Sequence, residues 1–296
     1  MNRRNFIKNS GLAAGATTFS METKKDQMQK YKMGYQLYSI RDEMAKDPIA
    51  TLKALKGMGY EDFELYGYDD VSDKFYGFNS TEFKKQLDDL ELTIMSGHYH
   101  FSPYLLKSDD ELKKFVDRCI NGAKNIGSDY ITWPWLDPAL RNIYSMKLMA
   151  KKLNIIGEQV NKAGLQFAYH NHGFEFDRHD GQTGYEIIMN ETDADKVKLQ
   201  IDMYWVIHSA NITPKALVDK QPGRFVMWHI KDMDATTRDY TELGNGSINY
   251  LNLLPDAEKS GLVYYYLEQG GNFALNSTVS AADSASYCQK KLLKFL

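Results

Sequence analysis

The chain has 296 residues, 43% of them hydrophobic and 25% charged, which is the balance of an ordinary globular protein. Its 36 basic and 39 acidic residues give a formal net charge of −3, and no basic stripe of the kind that follows a phosphate backbone is present. Composition and charge therefore argue against nucleic acid as a partner. Two distant cysteines, Cys119 and Cys288, do not imply a disulfide.

The first thirty residues are predicted to be a signal peptide and linker, separate from a domain over residues 31–296. Arg3 and Arg4 precede Phe6 and Ile7, and a mildly apolar stretch follows. This pattern resembles a twin-arginine export signal and predicts a periplasmic protein. The stretch is too short to span a bilayer and no cysteine follows it, so no stable membrane anchor is expected. The alternative is a cytoplasmic protein.

From residue 31 onward, short apolar runs alternate with segments of helical spacing. We predict eight strands, at Lys32–Leu37, Asp62–Leu65, Thr93–Ser96, Tyr130–Trp133, Gln166–Tyr169, Lys198–Ile201, Arg224–His229 and Val263–Leu267. The helices predicted between and after them are Pro48–Met58, Glu82–Leu90, Asp109–Ile126, Met146–Ala163, Gly184–Asn190, Pro214–Val218, Tyr250–Lys259 and Ala282–Leu296.

Eight strand–helix units in about 265 residues predict a single (β/α)8 TIM barrel. The alternative is an open doubly wound sheet, which usually carries a glycine-rich phosphate loop after its first strand. Residues 35–42 occupy that position and read YQLYSIRD, without the glycines. We therefore prefer the closed barrel, whose functional groups lie at the carboxyl ends of the strands.

Ionisable residues stand at most of the predicted strand ends. Asp202, His229 and Glu268 follow three neighbouring strands, and two carboxylates with an imidazole form a site for one divalent ion such as Mn, Co, Mg or Zn. A fourth ligand is expected from strand five or its loop. Glu175 and His170 are the two candidates, and Glu175 is preferred because it completes a site of three carboxylates and one histidine.

Other strand-end residues are predicted to bind substrate. Five of the seven histidines lie at these ends, and the many tyrosines and tryptophans suggest a cleft for sugar rings, whose C–H faces stack on aromatic side chains. The predicted substrate-binding residues are Tyr38, Glu64, His98, Trp133, Trp135, His170 and Trp205. The expected partner is a small carbohydrate, and a homo-oligomer is compatible with the sequence.

Several motifs together resemble the sugar phosphate isomerase/epimerase branch of the xylose isomerase-like barrels. They lie, in chain order, at residues 36–42, 59–65, 169–176, 229–233 and 267–269. The resemblance covers the chain from about residue 31 to its end. It implies one divalent metal held by Glu, Asp, His and Glu from strands five to eight, and Asp202, His229 and Glu268 match the last three. His170 stands where keto-sugar epimerases carry the first Glu, which puts a two-glutamate mechanism in doubt.

The function predicted from this site is enolate chemistry beside a sugar carbonyl. Metal would stabilise an enediolate, Glu175 or His172 would remove the α-proton, and Lys231 would act as an acid or stabilise the oxyanion. Reprotonation gives a sugar isomerase or epimerase; loss of a β-leaving group gives a 3-keto-glycoside lyase or hydratase, and export favours unphosphorylated substrates. Two further alternatives are an abasic-site endonuclease and a non-catalytic sugar-binding barrel.

Overall fold

The computed structural model describes residues 30–179 and 181–296. The predicted export signal lies outside the described residues. The eight strands of the barrel are β1 (Gly34–Gln36), β2 (Asp62–Tyr66), β3 (Thr93–His98), β4 (Tyr130–Trp133), β5 (Gln166–His170), β6 (Lys198–Asp202), β7 (Met227–Ile230) and β8 (Tyr264–Leu267).

The strands form a closed parallel barrel, as predicted. Each strand pairs with its chain neighbours, and β1 closes the ring by pairing with both β2 and β8. Closure requires close approach at Gly34, where a Cβ atom would lie 2.2 Å from the carbonyl oxygen of Tyr265. The ring removes every sheet edge and brings all eight strand ends to one rim.

The helices pack around this ring. They are α1 (Arg41–Met44), α2 (Pro48–Gly57), α3 (Ser80–Asp89), α4 (Asp109–Ile126), α5 (Ile143–Lys162), α6 (Gly184–Glu191), α7 (Met203–Ser209), α8 (Pro214–Lys220), α9 (Tyr250–Leu253), α10 (Ala257–Ser260) and α11 (Ser277–Tyr287). Their apolar faces cover the outward side of the strands, forming one large buried core. A π-helix, Cys288–Leu292, and a 3-10 turn, Leu293–Phe295, continue α11.

Several element boundaries differ from the sequence prediction, including those of the seventh strand and of the last two predicted helices. The predicted helix Tyr250–Lys259 is two short helices, because Pro255 cannot continue the first and Asp256 caps the second by accepting from the Lys259 N–H. The last helix begins at Ser277 rather than Ala282, capped by the Asn276 side chain. The seventh strand begins at Met227, not Arg224.

The helix α7 was not predicted at all. It begins immediately after β6, and the Asp202 carboxylate caps it by accepting a hydrogen bond from the Trp205 N–H at 3.2 Å. This cap fixes the Asp202 side chain at the rim of the barrel. Asp202, which was predicted only as a site residue, therefore also stabilises the start of α7.

Both cysteines, Cys119 and Cys288, are buried and free, so no disulfide forms between them. Among the described residues, no helix combines the length and the apolar character needed to cross a membrane.

Candidate active site at the carboxyl rim of the barrel

A cavity of about 970 Å³ opens at the carboxyl ends of the strands. Residues that follow all eight strands line it. Its volume lies near the upper end of the roughly 300–1,000 Å³ typical of small-molecule sites. The rim expected from the sequence to carry the chemistry therefore surrounds a real cavity.

Lys231 and Glu268 line the floor of the cavity, and Lys231 lies between Glu268 and the fully buried Asp202. The Nζ atom of Lys231 lies 2.7 Å from an Asp202 oxygen and 2.9 Å from a Glu268 oxygen. Burial opposes charge on Lys231, but the two carboxylates outweigh it and raise the lysine pKa. Burial raises the pKa of Asp202 despite Lys231. For Glu268, attraction to Lys231 and His229 exceeds the effect of burial and lowers the pKa.

His229 bridges two carboxylates from opposite sides of its ring. Its Nδ1 atom bonds to Glu268, and its Nε2 atom lies 2.6 Å from an oxygen of Glu64. Burial alone would lower the pKa of His229, but the charges of Glu64 and Glu268 raise it to about 9. Glu64 therefore fixes the far side of the ring, and Nδ1 faces the same space as Glu268.

Glu64 is buried beneath the cavity and does not line it, which corrects its prediction as a substrate-binding residue. Its carboxylate accepts hydrogen bonds from Gln36, Ser96 and Gln200 at 2.6, 2.6 and 2.7 Å. Burial raises the pKa of Glu64, yet the charges of the neighbouring histidines dominate and hold that pKa well below its usual value. The side chain is thus held as a carboxylate in the barrel interior.

Gln200 orients two further histidines. Its carbonyl oxygen accepts from His98 Nε2 at 2.8 Å and from His170 Nδ1 at 2.9 Å. Because Nδ1 of His170 is then the protonated nitrogen, Nε2 keeps its lone pair, and it lies 3.6 Å from an oxygen of Asp202. Burial, followed by repulsion from the other histidines, lowers the pKa of His170 well below its usual value, so the ring is neutral.

Glu175 does not join this group, contrary to the preference stated from the sequence. Its carboxylate is buried under the cavity wall and accepts from the Tyr169 hydroxyl at 2.6 Å and from the His172 N–H at 2.9 and 3.0 Å. Burial raises its pKa to about 7. The strand-five residue that the structure brings to Asp202 is His170.

The donor set fits a divalent cation. One donor atom each from Asp202, His229 and Glu268 lies within 4.8 Å of the others, and the neutral His170 offers a lone pair beside Asp202. Oxygen and imidazole ligands of this kind suit Mn, Co, Zn or Mg. His229, whose pKa is raised to about 9, would release a proton on binding the ion. The carboxylates of Asp202, Glu268 and Glu64 would then face the single ammonium of Lys231.

Aromatic side chains form one wall of the cavity. Trp135 and Trp205 lie on it, with ring centroids 5.4 and 5.8 Å from the His172 ring. Burial lowers the pKa of His172 well below its usual value, so this imidazole is neutral. Tyr38 and His98 also line the cavity, and their role in substrate binding stays a prediction.

Trp133 is in the core instead of the cavity wall, which corrects its prediction as a substrate-binding residue. The ring is fully buried and stacks on Phe101 at 5.3 Å. Its Nε1–H donates to the carbonyl oxygen of Trp135 at 2.7 Å. Trp133 therefore supports Trp135 from behind.

Four residues of the site were missed from the sequence. Gln36 and Gln200 lie inside strands that were predicted as apolar runs. Nothing in the sequence shows that their side chains point into the barrel. Arg141 lines the cavity and packs on Trp135 and Phe174, with its guanidinium 4.2 and 4.0 Å from the two ring centroids. Tyr240 places its ring over Lys231 at 5.9 Å.

Tyr240 reaches the site on a loop built around Asp232. The buried Asp232 carboxylate accepts from the N–H groups of Gly244, Gly246 and Ile248 at 2.8, 3.2 and 3.1 Å. A short antiparallel pair, Asp232–Met233 with Tyr240–Thr241, holds the start of this loop. The acid next to Lys231 thus shapes the loop that covers it.

The sequence and the fold were compared with known proteins. The family described as xylose isomerase-like TIM barrel matches residues 52–268. A sugar phosphate isomerase/epimerase from Parabacteroides distasonis ATCC 8503 is 28% identical, with a TM-score of 0.79, over 90% of this chain and 96% of that chain. The search of curated proteins gave no match.

Two more distant structures share the fold alone. The IolI protein with a bound zinc atom is 14% identical, with a TM-score of 0.67, over 90% of this chain and 99% of that chain. The 3-keto-D-glucoside 4-epimerase YcjR from E. coli is 16% identical, with a TM-score of 0.66, over 88% of this chain and 100% of that chain.

Proposed function

Because the chain belongs to the xylose isomerase-like TIM barrel family, we propose that it is a divalent-metal-dependent isomerase or epimerase of a keto-sugar or related carbohydrate. The observation that carries the proposal is the group on the cavity floor, where Asp202 and Glu268 share the ammonium of Lys231 beside His229. Structures named sugar phosphate isomerase/epimerase are similar to the whole barrel, which supports a sugar substrate.

Asp202, His229 and Glu268 would hold the metal, with His170 as the fourth ligand. A bound divalent ion supplies Lewis acidity, which stabilises negative charge on a carbonyl oxygen and an adjacent hydroxyl. Gln200 and Glu64 would keep the two imidazoles in the tautomers that leave one nitrogen of each ring facing this group.

The protein's own proton-transfer groups are Lys231 and His172. Lys231 is a buried cation on the cavity floor and would donate a hydrogen bond or a proton to the substrate oxygen. His172 is neutral, lines the cavity and lies 4.9 Å from the His170 ring, centroid to centroid, so it is our candidate for the base that removes the α-proton. Glu175, bound under the wall, would support His172 through its backbone N–H.

A 3-keto-glycoside lyase or hydratase is the second candidate. The observation that favours it is the presence of His170 in place of a glutamate at the strand-five position, which leaves Glu268 as the only glutamate that lines the described cavity. The pair of glutamates of a two-glutamate epimerase is therefore lacking from this lining, whereas elimination needs one base and one acid. The export signal expected from Arg3 and Arg4 supports unphosphorylated substrates for either reaction.

Turnover by the purified protein distinguishes these reactions. Free ketoses and 3-keto-glycosides would be supplied with manganese or cobalt, in deuterated water, and the products identified by NMR. Deuterium in an intact rearranged sugar supports isomerase or epimerase chemistry, and release of the aglycone supports the lyase. Activity that persists after chelation, or in Glu268→Gln, contradicts the proposed site.

A further inference from the structure

The cavity extends well beyond the group that would carry the reaction. A row of rings leads from the floor to the mouth: His170, His172 and Trp135 have successive centroid separations of 4.9 and 5.4 Å. Trp135 stands at the outer end of this row and is 39% exposed. At about 970 Å³, the space suits a ligand larger than a single sugar ring.

Trp135 is an exposed ring held in a fixed position. The guanidinium of Arg141 covers one face at 4.2 Å, and the Nε–H of Arg141 donates to the Leu136 carbonyl oxygen at 3.0 Å. From behind, Trp133 donates to the Trp135 carbonyl oxygen. A rigid aromatic surface left open in a cavity is the arrangement used to stack a flat or C–H-rich ring at little entropic cost.

We propose that Trp135 forms a second subsite, and that the substrate is a two-ring carbohydrate rather than a free monosaccharide. The inference rests on the proposed function for the first ring, which lies over Lys231 and Glu268. The second ring, either another sugar or an aromatic aglycone, stacks on Trp135. His172, between the two positions, faces the bond that joins the rings.

Tyr38 is a second exposed ring at the mouth, 45% exposed and covered on one face by Arg41 at 4.2 Å. Its described ring neighbour is Tyr66, at 5.3 Å, and no row of rings joins it to His170. The proposal therefore places the second ring at Trp135.

Binding of unreactive ligands tests the subsite without relying on turnover. Methyl β-glucoside, phenyl β-glucoside and cellobiose would be titrated calorimetrically into the full chain with manganese present. We expect the two-ring ligands to bind roughly ten-fold more tightly than methyl β-glucoside. A preference for only phenyl β-glucoside or only cellobiose would identify the second ring as aromatic or sugar.

Two variants and one control complete the test. Trp135→Ala should abolish the preference without weakening methyl β-glucoside, Trp135→Phe should retain most of it, and Tyr144→Ala should retain all of it. Tyr144 is a matched control because it is 71% exposed and does not line the cavity.

Equal affinities for one-ring and two-ring ligands, undetectable binding included, would overturn the subsite, as would a preference that survives in Trp135→Ala. The binding preference without turnover of any keto-sugar would refute the proposed reaction and leave the subsite standing. Turnover of a keto-sugar without the binding preference would refute the subsite and leave the proposed reaction standing.

Discussion

Replacing Glu64 with glutamine removes one charge from beneath the site and keeps the shape of the side chain. The Glu64 carboxylate only accepts hydrogen bonds: one oxygen accepts from Ser96 and Gln200, and the other from Gln36 and His229. A glutamine amide presents an NH2 group to one of these pairs, whichever way it turns. The variant therefore places a donor against donors in a fully buried position.

Two separate effects of similar size follow from this geometry, one on folding stability and one on metal affinity. An unsatisfied buried polar group costs about 1–3 kcal/mol of folding stability, so Glu64→Gln should unfold at a lower temperature. Loss of the carboxylate that orients a metal-binding histidine typically lowers metal affinity about 10–100-fold. Since Glu64 lies 2.6 Å from the Nε2 atom of His229, we expect a loss of affinity in that range.

Metal affinity would be measured by competition with a chromophoric chelator, and stability by thermal unfolding with excess chelator. Glu175→Gln is the matched control, because Glu175 is an equally buried carboxylate that accepts from Tyr169 and from a backbone N–H. The control should lose stability and keep its metal affinity. Unchanged affinity in Glu64→Gln would refute the role of Glu64, and reduced affinity in Glu175→Gln would return Glu175 to the ligand set.

Three further predictions concern stability and the reaction. Burial raises the pKa of Asp62 in the folded protein to about 7, above its unfolded value of about 3.9, so its contribution to stability is full below pH ~4 and is lost as the pH rises to about 7, by up to ~4 kcal/mol. Asp62→Asn should reduce this loss of stability with rising pH. Stability would be measured by urea unfolding at several pH values, and the same pH dependence in the variant and the parent protein would contradict the prediction. Gly246→Ala should cost about 1–3 kcal/mol, since the new Cβ would lie 2.2 Å from an oxygen of Asp232; Gly271→Ala, with open space around it, should unfold like the parent protein, and equal thermal stability of the two variants would refute the argument. Lys231→Met should lower kcat about 10²–10⁴-fold at saturating metal, and an unchanged kcat would remove this lysine from the mechanism.

The fold could be predicted because its signals are local and repeated. Each strand is a short apolar run, and helices α4 and α10 end at Gly127 and Gly261, which adopt φ values of 76° and 78°. The errors occur where a single residue determines where a helix begins or ends. Pro255 breaks a segment whose apolar spacing is otherwise continuous, and Asp202 starts a helix directly from a strand end, leaving no loop by which α7 would be recognised.

The site could be predicted only where position along a strand determines direction. Asp202 ends β6, His229 lies near the end of β7 and Glu268 follows β8. Asp202 and His229 are also register partners, so the convergence of the three residues follows from the barrel. Glu175 lies five residues beyond β5, in the 3-10 turn Phe174–Phe176. That turn directs its carboxylate under the wall to Tyr169, and nothing in the local sequence specifies the direction.

The interior residues whose roles the sequence did not predict, Gln200 and Glu64, show that the site has two layers. Beneath the floor, Gln200 and Glu64 are fully buried and fix the histidines. Above it, Lys231, His172 and Trp135 line the cavity. Substitutions in the lower layer should alter metal affinity and folding stability, whereas those in the upper layer should alter turnover or ligand choice. Because each layer is sensed by a different measurement, a failure of metal binding, of the reaction or of the second subsite can be recognised separately.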